Sequence, residues 1–396
     1  MDSCFLIAVF VFAFSLSNGE RTLKFVTVLY RHGDRSPLDT YPTDPCKDSD
    51  WPQGFGQLSQ EGKKQHYELG QFLKKRYSGF LSENYNRKEI YIRSVDLDRT
   101  LMSAEANLAG MFPPNSSEEF IPGLKWQPIP VHTVPEDKDL LLHFPLRNCP
   151  RYIQLMNETK NSDTFHKMTV TYKAFIEMVR KKTGKKTVSV DSVWTIYDTL
   201  FCESKHGKVL PDWVTTDVNE TLKVLNDFSY QIMFGVYERK EKSRLQGGLL
   251  LDQIIKNISS AAASHNEQKT KMIVYSAVSH VMFSVEMFYR NDSAVEPYAV
   301  SLPNCSRRCP LQDFVALTRD VIPQDWNKEC EIKKEATDTS KGKHNHGCTD
   351  TTFFSLILLL LVLLRTDTCN FIEFLIFKNI GQRNQKNVNQ ISWLSK

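Results

Sequence analysis

Phe25-Val26-Thr27-Val28-Leu29-Tyr30 runs directly into Arg31-His32-Gly33-Asp34-Arg35-Ser36-Pro37. The first six residues are β-branched, aromatic or aliphatic and read as a buried strand. Two guanidiniums and an imidazole then fall at its carboxyl end, which in an open α/β sheet is where ligands bind. Arg offers forked donors that match phosphate oxygens, and an uncharged imidazole nitrogen can attack phosphorus. The chain must therefore fold so that this strand end opens onto an anion. A merely basic surface turn is the weaker reading, because two Arg flanking a His beside a buried strand repel one another when no anion is present.

The rest of the chain supplies what such a strand needs. Ser59 is placed to cap a helix on which Leu69, Phe72, Leu73 and Tyr77 share one face. Ile90-Tyr91-Ile92 reads as a second strand, and Asp98-Arg99-Thr100 opens a helix with Leu101, Ala104 and Leu108 on its buried side. Residues 113 to 150 are Pro-rich and irregular, and about 150 to 240 is helical, so that about 113–240 forms a smaller, mostly helical cap. Gly247 to Ala263 reads as an amphipathic helix and Met272 to Ala277 as a buried strand. The expected class is α/β, a mainly parallel sheet with helices on both faces plus the cap. There is no glycine-rich phosphate loop, so side chains would have to hold the phosphate.

A net charge of +4 spread over 396 residues gives no basic stripe, which excludes nucleic acid as a partner. Residues 1–19 read as a secretory signal peptide: an apolar stretch from Phe5 to Ser17, then Ser17-Asn18-Gly19 as a small-residue cleavage site, although Met1-Asp2-Ser3 carries no Lys or Arg. Sequons at Asn115, Asn157, Asn219, Asn257, Asn291 and Asn304 agree with export. In that compartment cysteines pair. Beyond the leader they are Cys46, Cys149, Cys202, Cys305, Cys309, Cys330, Cys348 and Cys369, and spacing alone leaves their connectivity open.

The Arg31–Pro37 motif, Trp51-Pro52-Gln53-Gly54-Phe55-Gly56-Gln57-Leu58, Tyr91-Ile92-Arg93-Ser94 with Asp98-Arg99-Thr100, Trp126 to His132, Arg244-Leu245-Gln246-Gly247-Gly248 and Ile322-Pro323-Gln324-Asp325-Trp326 together resemble the histidine acid phosphatases (histidine phosphatase superfamily, branch 2), with vertebrate members nearest. The resemblance covers about residues 22 to 330, and so implies one phosphatase domain over 20–330. It implies acid hydrolysis of phosphomonoesters, small molecules or phosphoproteins, without metal or other cofactor. His32 would be the nucleophile, forming a phosphohistidine, and Arg31, Arg35 and Arg99 would clamp the phosphate. From the residues alone Arg99 reads as a helix-end partner of Asp96 or Asp98, and Asp34 as structural. The resemblance further implies disulfides Cys149–Cys330 and Cys305–Cys309, a homodimer through the Trp126/His132 region, and a lysosomal, plasma-membrane or secreted destination.

One departure matters. After Tyr275-Ser276-Ala277 the family continues with a His-Asp pair that supplies the general acid; here Val278-Ser279-His280-Val281-Met282-Phe283 follows, and the resemblance resumes at Val285-Glu286-Met287-Phe288. Several dozen family residues are absent, including the cysteine expected opposite Cys202, which leaves Cys202 unpaired. His280 lacks an adjacent carboxylate and reads as solvent-facing or incidental. With the general acid absent, catalysis should be strongly impaired. The alternative from another class is a non-catalytic glycoprotein that binds phosphoesters or pairs with active subunits; a mutase is disfavoured by the leader and sequons.

A polar linker over 331–352 carries His344, His346 and Cys348, which read as incidental rather than as a metal site. The apolar stretch 353–364 is shorter than the roughly 17–25 residues of a spanning helix, yet a net-basic tail over 365–396 follows it. That order suits a type I membrane anchor. Phe371 to Phe377 forms a second apolar patch within the tail.

Overall fold

In the computed structural model the described residues are 22–145, 149–263, 270–284, 305, 309–332 and 370–377. The expected leader, Asn291, Asn304, the expected 331–352 linker beyond Ile332 and the 353–364 stretch lie outside them.

A parallel sheet carries the architecture. Its strands are β1 (Thr22–Arg31), β2 (Ile90–Ser94), β3 (Met272–Ala277) and β4 (Asn370–Phe377), in the order β2-β3-β1-β4. Every pairing is parallel, with Val26 opposite Met272 and Arg31 opposite Ala277 on one side of β1, and Tyr30 opposite Phe377 on the other. Phe25 through Tyr30 are all fully buried, as expected of a strand covered on both faces. Side chains alternate between two cores. Phe25 and Leu29 pack with Leu250, Ile254 and Ile258, whereas Val26, Val28 and Tyr30 pack with Leu69, Leu73, Ala104 and Leu108. Each such large side chain is worth roughly 1.5–3 kcal/mol of burial, so this strand is firmly anchored between the two cores.

The second core is closed by α1 (Gln60–Arg76) and α2 (Asp98–Met111). Ser59 caps α1 as its sequence suggests, its hydroxyl accepting from the Gly62 N–H at 3.0 Å. The two helices touch backbone to backbone. A Cβ on Gly70 would stand 1.9 Å from the Asn107 carbonyl oxygen, and one on Gly110 would stand 2.1 Å from that of Tyr67.

Five helices, α3 (Pro150–Lys160), α4 (Asp163–Thr171), α5 (Lys173–Thr183), α6 (Trp194–Lys205) and α7 (Thr216–Phe234), form the cap around a core of Val179, Val193, Ile196, Leu222 and Leu225. The chain returns through α8 (Arg239–Gln246) and α9 (Gly248–Ala263) to β3, and α10 (Ser279–Ser284) follows at once. Short helices α11 (Leu311–Thr318) and α12 (Trp326–Glu329) close the molecule. Cys149 is bonded to Cys330 and Cys305 to Cys309, the pairings that the resemblance implies, while Cys46 and Cys202 are free thiols. Among the described residues no helix is long and apolar enough to cross a membrane. β4 departs from the sequence reading: part of the expected basic tail is an edge strand alongside β1.

Candidate active site

His32 lies at the carboxyl end of β1, with its backbone N–H donating to the Ala277 carbonyl at 3.0 Å. Its side chain is buried, and its Nδ1 is 2.8 Å from the Gly33 carbonyl oxygen. Only a protonated Nδ1 satisfies that oxygen, so Nε2 keeps its lone pair. Burial, then Arg31, Arg35 and Arg99, hold the imidazole well below the ordinary histidine range. His32 is therefore held toward the neutral form, with a lone pair on Nε2.

The turn around it is fixed from all sides. The Gly33 N–H donates to Ser103 Oγ at 3.1 Å, and that hydroxyl donates to the Arg99 carbonyl at 2.6 Å. Gly33 is obligatory, since a Cβ there would lie 2.4 Å from the Gly62 carbonyl oxygen. The Asp34 N–H donates to Gln65 Oε1 at 2.9 Å, and buried His66 donates from Nε2 to the Arg31 carbonyl at 3.0 Å. Burial keeps His66 neutral, its pKa pushed down to about 4.

Arg35 is engaged by a residue that the sequence did not single out. Asp198 on α6 takes two of its N–H groups at 2.7 and 3.0 Å, and a further N–H reaches the Ser36 carbonyl. Cys202, one turn on, lies 3.6 Å from the same guanidinium, and His206, another turn on, sits 2.8 Å from Asp34. Asp198, Cys202 and His206 recur at four-residue spacing. They share one face of the helix, and this spacing is the signal that could have found Asp198 and His206. Asp34 also accepts from Ser59, which fits its structural reading.

Arg99 faces the crevice rather than Asp96 or Asp98: among the described residues it makes no ion pair with either. Burial, then Arg35 and Arg31, lower its pKa to about 10, which leaves it charged. Arg35 Nε and Arg99 Nε are buried with no protein acceptor. Three guanidiniums thus converge on one imidazole, with Asp198 as the carboxylate that pairs directly with Arg35. Unsatisfied donors beside excess positive charge fit a phosphoryl group.

His280 is a correction to the sequence reading. It is half-buried rather than solvent-facing, stacked on Phe144 (ring centroids 5.2 Å apart, 2° between planes) and tilted against Tyr230 at 5.4 Å. Burial, then the same three Arg, push its pKa down to about 4. Neither Tyr230 nor His280 had a spacing that would have announced it.

Elsewhere, Asp44, Cys46 and Glu203 bring ligand atoms within 4.8 Å of one another. Burial and Asp44 raise the Glu203 carboxyl to about 7. Cys202 stays a thiol, with burial and Asp198 raising it to about 12. Trp126 and His132 are exposed, the latter stacked on Tyr91 at 4.8 Å.

Residues 22–287 match the family described as the histidine phosphatase superfamily (branch 2), and the chain belongs to it. It is 47% identical over 377 residues to the lysosomal acid phosphatase of Rattus norvegicus, covering 87% of this chain and 89% of the relative. It is 45% identical over 362 residues to the prostatic acid phosphatase of Bos taurus, covering 83% and 93%. Among solved structures, a Hafnia alvei phytase in complex with tartrate superposes with a TM-score of 0.55 at 15% identity, over 79% of this chain and 99% of that one; this likeness concerns the fold.

Proposed function

We propose that this protein is an acid phosphatase that hydrolyses phosphomonoesters through a phosphohistidine on His32. The observation that carries the reading is the convergence of Arg31, Arg35 and Arg99 on an imidazole whose Nδ1 is committed to the Gly33 carbonyl. The guanidiniums would draw the phosphoryl group onto Nε2 and stabilise its equatorial oxygens as the bond to the leaving oxygen breaks. Burial and these guanidiniums together also keep the nucleophile unprotonated in acid, which an ordinary histidine would not be. Water then attacks the phosphohistidine and releases phosphate.

Proton delivery to the leaving group is the weak step. Val278-Ser279-His280 stands directly after Ala277, where the resemblance places a His-Asp pair. The alignment with the rat relative supports a missing segment, because 377 aligned positions occupy only 87% of a 396-residue chain. General acid catalysis is typically worth about 10²–10⁴-fold, so turnover should be strongly impaired and should favour aryl over alkyl phosphates. The leader, the exposed sequon residues Asn115 and Asn157 and the named relatives support a secretory or lysosomal route. Asn257 is the least suited sequon, since its amide engages the Tyr275 hydroxyl and Gln253.

The test is phosphatase activity of the purified full chain at about pH 5 on an aryl and an alkyl phosphate, beside His32→Ala. Aryl turnover abolished by that substitution supports the reading. Equal turnover of both esters would refute the impairment. A well-folded chain with no activity above His32→Ala would instead be the phosphoester-binding glycoprotein.

A further inference from the structure

We propose that His280 is the proton donor to the leaving oxygen, a role that rests on the phosphatase reading above. Its placement follows from the sheet. Ala277 ends β3 and accepts the His32 N–H, so the residues just beyond it border the nucleophile. α10 begins at Ser279 and sets the His280 imidazole in its first turn. Phe144 from the segment before α3 and Tyr230 from α7 hold the ring by its faces. Among the described residues neither ring nitrogen is taken by a protein partner, so the ring edge is available to a ligand while its orientation is fixed.

The charged groups around it explain when it carries a proton. Arg31 and Arg35 face it from the end of β1, Arg99 from α2 and Asp198 from α6; Tyr230 from α7 is its uncharged neighbour. Without a bound anion, burial and the three guanidiniums outweigh Asp198 and disfavour an imidazolium. A bound phosphomonoester brings the missing negative charge and reverses that preference, because opposite charge within a few ångströms favours the protonated form. The substrate thereby loads its own acid. In the first step the His32 Nε2–P bond forms and the P–O bond to the leaving group breaks; the leaving oxygen keeps the electron pair and takes the proton from His280. In the second, water gives a proton to the now neutral His280 as its oxygen attacks phosphorus, and the P–N bond breaks to release phosphate. His280 ends as it began.

An imidazole without a carboxylate is a partial substitute for a His-Asp pair, so the chain should retain slow turnover of alkyl esters rather than none. Full-length His280→Gln should lose about 10²-fold in kcat on 2-glycerophosphate, with a much smaller loss on p-nitrophenyl phosphate, whose leaving group is stable as an anion. A purely structural role would lower both together and would overturn the proposal. Calorimetry of sulfate binding at about pH 5, in buffers of different ionisation enthalpy, gives a readout independent of turnover. Sulfate takes no proton itself, so the wild-type chain should take up close to one proton more on binding than His280→Gln, and equal uptake would also overturn the proposal. His32-dependent aryl turnover with an unchanged aryl-to-alkyl ratio in His280→Gln would remove this inference alone. Absence of His32-dependent turnover in the wild-type chain would remove the phosphatase reading and the donor role with it.

Discussion

At the scale of single residues, the site joins one contiguous turn, Arg31 to Arg35, to groups that reach it from other elements. Arg31, His32 and Arg35 announce themselves because a strand end places neighbours in sequence at one crevice. Arg99 needed the family resemblance, since Asp96 and Asp98 offered it a local partner that the fold declines. Asp198, Tyr230 and His280 come from three other elements, and their approach depends on how the cap closes. The His206–Asp34 contact, which ties the end of α6 to the catalytic turn, carries a pH prediction. Its hydrogen bond to Asp34 raises the His206 pKa above the ordinary 6.5, while His206 and Ser59 outweigh burial and lower Asp34 below 3.8. The histidine's contribution is complete below its unfolded value and is lost as pH rises through the folded one; the aspartate's is complete above its unfolded value and is lost as pH falls through the folded one. The pair therefore stabilises most between about pH 4 and 6.5. His206→Gln should lower stability by no more than about 1 kcal/mol near pH 5 and leave it unchanged near pH 8. Urea midpoints at the two pH values test this, and a loss at pH 8 alone would contradict it.

At the scale of elements, the strong periodicities served well. The buried run of β1, the capped face of α1 and the apolar face of α9 form where the pattern puts them, because each buries an unbroken stripe against the sheet. What no periodicity reports is how closely two elements approach. α1 and α2 cross at Gly70 and Gly110, and Ser103 and Asn107 on the same face of α2 reach the Gly33 N–H and the His66 carbonyl respectively. Alanine at position 110 gains about 1 kcal/mol of helix propensity, yet its methyl group meets the Tyr67 carbonyl. Overpacking of this kind costs about 1–3 kcal/mol and would push α2 away from the catalytic turn. Gly110→Ala should therefore come out neutral to about 2 kcal/mol destabilised and should raise KM through displaced Arg99. Thermal unfolding with a phosphate-binding isotherm checks both, and a stabilised variant with intact binding would show that the helices can separate at no cost.

At the scale of the whole molecule, the sheet has a composition that the sequence did not suggest. A segment read as a basic tail supplies β4, which pairs with β1 from Thr22 to Tyr30. Short apolar runs of this kind are ambiguous in sequence, and their role is decided by whether an unpaired strand edge awaits them. Truncation after Ile332 would strip that edge and leave a long, apolar central strand open to pairing with other chains. The shortened protein should aggregate at concentrations where the full chain stays monodisperse, as light scattering would report. A monodisperse truncated chain with unchanged unfolding would mean that β4 contributes nothing.

The placement of β4 also has a consequence in time. β1 ends at Arg31 and its outer neighbour begins at Asn370, so the two leave the ribosome far apart. At ordinary elongation rates of about 5–20 residues per second, the strand that carries His32 waits some tens of seconds for that partner. Throughout that interval the nascent chain presents an open backbone edge, so its yield should depend on chaperone capacity more steeply than its final stability would suggest.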